Sequence, residues 1–126
     1  MDIQKQVDYW RIGSKEDMSA AQVLFDKRKF RHCLFFAHLA LEKALKAHVS
    51  LVTADVPPKI HNLVRLAELS RLEVSEDRLG FLRRFNLYQL EGRYPEQVMK
   101  IRVTVKDARE LLSTAKEMRL WLTKQL

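Results

Sequence analysis

The sequence predicts an all-α fold: an antiparallel up-down four-helix bundle with a short extra helix, as one domain over residues 1–126. Three observations lead there. The 126 residues hold only three Gly and three Pro, so the break points are few and divide the chain into distinct segments. Within those segments apolar residues recur at steps of three and four, the period of a helix face. One segment is apolar on almost every face, as the central helix of a bundle is.

The first helix is predicted from about Gln4 to Lys27, with Val7, Trp10, Met18, Ala21 and Phe25 as its stripe. That stripe has one gap, and Gly13 falls inside it at a cost of about 1 kcal/mol against Ala, which some contact must offset. The second helix is predicted from Phe30 to about Val52. It carries Cys33, Leu34, Phe35, Phe36, Ala37, Leu39, Ala40, Leu41, Ala44 and Leu45 around its circumference, and Pro57-Pro58 cannot continue it. A short third helix is predicted from His61 or Asn62 to Leu69, with Leu63, Leu66 and Ala67 facing inward. Ser75 reads as the N-cap of the fourth helix, with Glu76 and Asp77 in its first turn. Leu79, Leu82, Phe85, Tyr88 and Leu90 form its stripe, Gly92 is its C′ residue, and Arg93-Tyr94-Pro95 is a break. Thr104 caps the last helix, with Asp107 completing a shortened capping box. The inward stripe there is Val105, Ala108, Leu112, Ala115 and Met118 or Leu122.

Composition limits the function classes. A 47% hydrophobic content supports a packed core rather than disorder. One Cys excludes an internal disulfide and a Cys-based zinc site. The four His are at 32, 38, 48 and 61 and form no dense ligand cluster with carboxylates, so no metal and no cofactor is expected. The N-terminus is polar and no apolar run approaches the roughly 20 residues of a membrane span, so the expectation is a cytoplasmic protein with no membrane partner. No Gly-rich phosphate loop, nucleophile elbow or H-E-x-x-H pattern is present.

The candidate chemistry lies on the second helix. His38, Glu42 and Lys46 are spaced i, i+4, i+8, which aligns an imidazole, a carboxylate and an ammonium on one stripe, with Lys43 beside them. Polar groups interrupting the most apolar helix are either paired as a structural lock or face a cleft where a phosphate binds. Arg31 precedes His38 by seven residues and shares its face, so Arg31 and His38 are the candidates for a catalytic pair. The net charge of +7, from 23 Lys+Arg against 16 Asp+Glu, points weakly to an anionic partner. Basic residues gather at Lys27-Arg28-Lys29-Phe30-Arg31-His32, at Arg83-Arg84, and at Lys100, Arg102 and Lys106, either as solvated surface or as a phosphate-binding surface.

Four ordered stretches resemble the HEPN domain (higher eukaryotes and prokaryotes nucleotide-binding). They are Trp10 with Asp17-Met18-Ser19-Ala20-Ala21; Phe30 to Lys46, centred on Phe36-Ala37-His38-Leu39-Ala40-Leu41-Glu42-Lys43-Ala44-Leu45-Lys46; Pro58-Lys59-Ile60-His61-Asn62-Leu63; and Gly92-Arg93-Tyr94-Pro95. The resemblance spans about residues 4 to 122. It implies a four-helix bundle with a short extra helix, commonly paired into a homodimer, and a cleft for nucleotide or RNA. His38, Glu42, Lys43, Lys46, His61, Arg93 and Tyr94 match family positions and are the expected ligand-binding residues. Small stand-alone members are often paired with a minimal nucleotidyltransferase in a toxin–antitoxin-like couple. Ribonuclease members carry Arg, four to six residues, then His near the end of the fourth helix. Here Arg93 is followed by Tyr94-Pro95-Glu96-Gln97-Val98-Met99-Lys100, without His. A binding module acting as a dimer, partnered by a nucleotidyltransferase, is therefore the expected function. A metal-independent ribonuclease using an Arg/His pair is the alternative.

Overall fold

In the computed structural model, which describes residues 2–90 and 94–126, six helices follow one another and no strand occurs among the described residues. They are α1 (Ile3–Asp26), α2 (Phe30–Thr53), α3 (Leu63–Ser70), α4 (Glu76–Phe85), α5 (Pro95–Met99) and α6 (Val105–Thr123). The all-α bundle predicted from the sequence is the fold observed. Helix α2 is its axis, packing against α1, α6 and α3.

The stripes explain that arrangement. Helix α2 buries Leu34, Leu41, Leu45 and Val49 together with four alanines, and the small residues let the neighbouring helices approach closely. Helix α6 contributes Ala108, Leu112, Ala115, Met118 and Leu122, and α3 contributes Leu63, Leu66 and Ala67. Val105 is only half-buried. The gap in the α1 stripe is filled by Ser14. Its side chain is sealed in the interior and its Oγ donates to the Ala40 carbonyl of α2 at 2.6 Å. A polar residue thus occupies a core position because it has a backbone acceptor facing it.

Gly13 has a matching explanation. A Cβ there would lie 3.1 Å from Lys43 Cδ. The missing side chain lets Lys43 cross from α2 to Asp17 of α1, where Nζ and Oδ2 are 2.8 Å apart. This crossing is the contact that offsets the helix-propensity cost of Gly13.

The turns are closed by local hydrogen bonds. Helix α1 ends in a Schellman closure: Lys29 N–H donates to Leu24 O at 2.8 Å and Arg28 N–H to Phe25 O at 2.9 Å. The C′ position, which favours glycine, is held by Arg28 at φ 60°. Asn62, Ser75 and Thr104 cap α3, α4 and α6 with side-chain oxygens, and the Thr104–Asp107 box forms in both directions.

The second half of the chain differs from expectation in two places. Helix α4 stops at Phe85, and Asn86–Tyr88 form a 3₁₀ turn, so Tyr88 and Leu90 are not on an α-helical stripe. Asn86 supplies the reason: its Oδ1 accepts the Leu63 N–H at 2.9 Å, a tertiary bond that competes with helix continuation. The expected Gly92 C′ position and Arg93 lie outside the described residues. The expected break at Tyr94-Pro95 is instead the start of α5. Pro95 occupies the first helical position, and the Gln97 side chain accepts from Tyr94 N–H at 3.1 Å.

His48 joins α2 to the end of α6. Its Nε2 donates to the Leu122 carbonyl at 2.7 Å in the interior. Burial pushes the imidazole below its ordinary value of 6.5, against the weaker upward pull of that hydrogen bond. The neutral form is therefore favoured in the fold. As pH falls through about 6.5 the unfolded chain takes up a proton that the folded chain refuses, so stability declines there. Urea unfolding at pH 7.5 and 5.5 is expected to show this decline in the wild type and a smaller decline in His48→Gln.

Candidate functional site

The polar stripe of α2 assembles into a network centred on Glu42. The carboxylate is 4% exposed and lies among groups from three elements. Lys46, one turn along α2 and 6% exposed, donates from Nζ to Oε2 at 3.0 Å. His61, just before α3, donates from Nδ1 to Oε1 at 3.1 Å, and His38 Nδ1 lies 3.7 Å from the same oxygen. Lys46 Nζ is also 5.4 Å from the centre of the Trp10 ring, which brings α1 into the arrangement.

A second layer surrounds His38. Its Nε2 is 3.4 Å from Asn86 Oδ1, and its ring stacks on Phe85 with centroids 6.4 Å apart. Asn86 Nδ2 donates to Asn62 Oδ1 at 3.3 Å, while Asn62 Oδ1 also accepts the Arg65 N–H at 3.1 Å. One chain of bonds thus runs from the α2 interior through the end of α4 to the N-cap of α3. A buried carboxylate is tolerable only with such saturation of its acceptors.

The network reaches the surface at one end. His38, Glu42 and Lys46 are sealed, whereas the His61 side chain is 44% exposed and Asn62 is exposed. With Nδ1 held by the carboxylate, the tautomer and ring orientation of His61 are set from below. Tyr94 is 70% exposed at the start of α5.

The remaining candidates are placed elsewhere. Lys43 points from α2 to Asp17 of α1 and does not join the Glu42 network. Arg31 donates from Nη1 to the Val98 carbonyl of α5 at 3.1 Å, and His38 lies two turns, about 10 Å, further along α2. The structure gives these two different partners rather than a shared one. Arg93 lies outside the described residues. Asn62, Asn86 and Trp10 are network members that the stripe pattern alone did not single out as site residues. Asn62 reads in the sequence only as a possible start of the third helix, and Asn86 gives no signal beyond being a poor helix former.

No group of three or more His, Cys, Asp or Glu side chains could hold a metal ion among the described residues. The buried Cys33 thiol is pushed up to about 11, chiefly by desolvation, so it is an inert core group rather than a nucleophile. No described helix is long and apolar enough to cross a membrane.

Comparisons with known proteins agree with this architecture. The chain is similar in fold to TT1696 from Thermus thermophilus, at 22% identity and a TM-score of 0.78, over 96% of this chain and 98% of that one. It is likewise similar to ST0689, an archaeal HEPN homologue, at 16% identity and a TM-score of 0.71, over 94% and 96% of the two chains. No protein of curated function matches the sequence. The HEPN domain model matches residues 7–126, and with it the ordered motifs on α1, α2 and the approach to α3 are accounted for: the chain belongs to the HEPN domain family.

Proposed function

We propose that this protein is a nucleotide- or RNA-binding HEPN module that acts as a homodimer and partners a minimal nucleotidyltransferase in a toxin–antitoxin-like pair. The observation that carries the binding role is the Glu42 network. A structural lock between helices needs no exposed histidine, and apolar residues could fill the same volume at no loss of stability. Here a sealed carboxylate holds the ring of a half-exposed imidazole at the N-terminal end of α3, where the helix dipole favours an anion. His61 and Tyr94 meet the ligand, Arg93 adds the charge its family position implies, and His38, Glu42 and Lys46 are positioning residues. The dimer is supported by apolar side chains left on the α1–α6 surface: Tyr9, Ile12 and Leu120 are all exposed. The partner enzyme is supported by membership of the family.

Calorimetric titration with ATP, GTP and a short RNA tests the binding role. Binding to at least one, weakened about tenfold or more in His61→Ala and Tyr94→Ala, is the expected result, since one lost charge-assisted contact costs roughly 1.5–3 kcal/mol. Absence of binding to all three contradicts it. Light scattering that gives a monomer at every concentration contradicts the dimer.

A further inference from the structure

The basic run at the α1–α2 turn and the basic residues after α5 are far apart in sequence, yet they meet around one cavity. The cavity has a volume of about 400 Å³ and is lined by Phe30, Arg31, Met99, Ile101, Arg102 and Val103. That volume lies within the range of small-ligand sites. None of its residues belongs to the Glu42 network.

The cations there are held in place but not neutralised. Arg28 takes the left-handed conformation that its Schellman position requires, and its guanidinium carbon lies 5.4 Å from the centre of the Phe30 ring. Phe30 is packed in turn on Phe25 at 5.6 Å, so the platform beneath Arg28 is fixed. Arg31 is fixed by its bond to the Val98 carbonyl. Lys27 and Lys29 flank Arg28 in the chain and Lys100 and Arg102 follow α5, and all four are exposed. Among the described residues none of these six cations forms a salt bridge, and the neighbouring Asp26 accepts from Gln22 instead. Arg31 and Arg102 line the cavity and Arg28 stacks on its Phe30 wall; three arginines with Lys27, Lys29 and Lys100 nearby in the chain exceed what one phosphate needs, and so fit a chain of phosphates. Met99, 72% exposed, offers an apolar shelf beside them.

We propose that this cavity and its rim bind the phosphodiester backbone of a single-stranded nucleic acid, with Arg28, Arg31 and Arg102 as the phosphate contacts. Arginine suits the role because its planar fork meets two phosphate oxygens at once. Recognition here is of backbone rather than sequence, because the Phe30 ring is already engaged by Arg28 and Phe25.

The test uses the full chain and a fluorescein-labelled oligouridylate about a dozen nucleotides long, read by anisotropy across a salt series. The variant is Arg28→Gln/Arg102→Gln, which spares the Arg31–Val98 bond. The control is Arg83→Gln/Arg84→Gln, an equal charge change at exposed positions on α4, away from this cavity. Circular dichroism melts confirm that both proteins fold. The expected result is a loss of about tenfold or more in affinity for the arginine variant alone, with a salt slope shallower by about 1.4, or about 0.7 for each lost contact to a single strand. Equal losses in both variants would reduce the effect to general charge and overturn the proposal, as would absence of strand binding in the wild type. Competition by inorganic phosphate as effective as the strand would assign a small-anion site instead. Competition by poly-glutamate at equal charge would assign an acidic protein partner. Nucleotide titration of His61→Ala addresses the other site, so that reading can fail while this one stands.

Discussion

Glu42→Ala is expected to destabilise the protein by about 3–5 kcal/mol, because it leaves the Lys46 ammonium buried without its carboxylate. At roughly 4 °C per kcal/mol for a domain of this size, the melting temperature falls by more than about 10 °C. The double variant Glu42→Leu/Lys46→Met separates causes. Replacing both members of a buried ion pair by apolar residues of similar volume is often neutral or stabilising. Most of the lost stability should therefore return in the double variant. His61 then loses the acceptor that fixes its ring, so ligand affinity should stay low although the fold is restored. A double variant as unstable as Glu42→Ala would show that the carboxylate has a structural role beyond its pairing with Lys46.

Phe85→Ala is expected to cost about 3–5 kcal/mol by itself. The ring is completely buried and closes an aromatic cluster, with Phe81 at 5.1 Å and Tyr88 at 5.3 Å. It also forms one wall of the His38 position. Truncation leaves a void that the adjoining helix ends fill only in part. Phe85→Leu, which keeps most of the volume, should lose much less. Urea unfolding of the two variants checks the difference. Similar losses in both would mean that ring contacts, rather than volume, dominate at this position.

The first half of the chain was legible because its signals are local and periodic. The limits of α1 and α2 follow from apolar spacing and the Pro57-Pro58 stop. The second half depends on long-range partners that spacing does not encode. Helix α4 ends at Phe85 because Asn86 bonds to Leu63, twenty-three positions away. The first half has its own exception, since the gap in the α1 stripe is filled by a serine that needs a carbonyl of α2. The i, i+4, i+8 pattern put His38, Glu42 and Lys46 on one stripe, along which the structure pairs Glu42 with Lys46. It could not separate Lys43, which turns to Asp17 through the space that Gly13 leaves. Nor could it join residues 27–32 to 99–103, since that cavity forms only when α5 docks on the start of α2.

The proposed binding role rests on the sealed Glu42 carboxylate holding the ring of the half-exposed His61. The most direct measurement is a ¹H–¹⁵N correlation spectrum of the labelled protein titrated with ATP, GTP or short RNA, with the folded Glu42→Leu/Lys46→Met variant alongside. The largest shifts in the wild type are expected on His61, Asn62 and Tyr94, and those on His61 should fade in the variant, where the ring has lost its acceptor. Saturable shifts that leave those three residues unmoved, or that persist unchanged without Glu42, would contradict it.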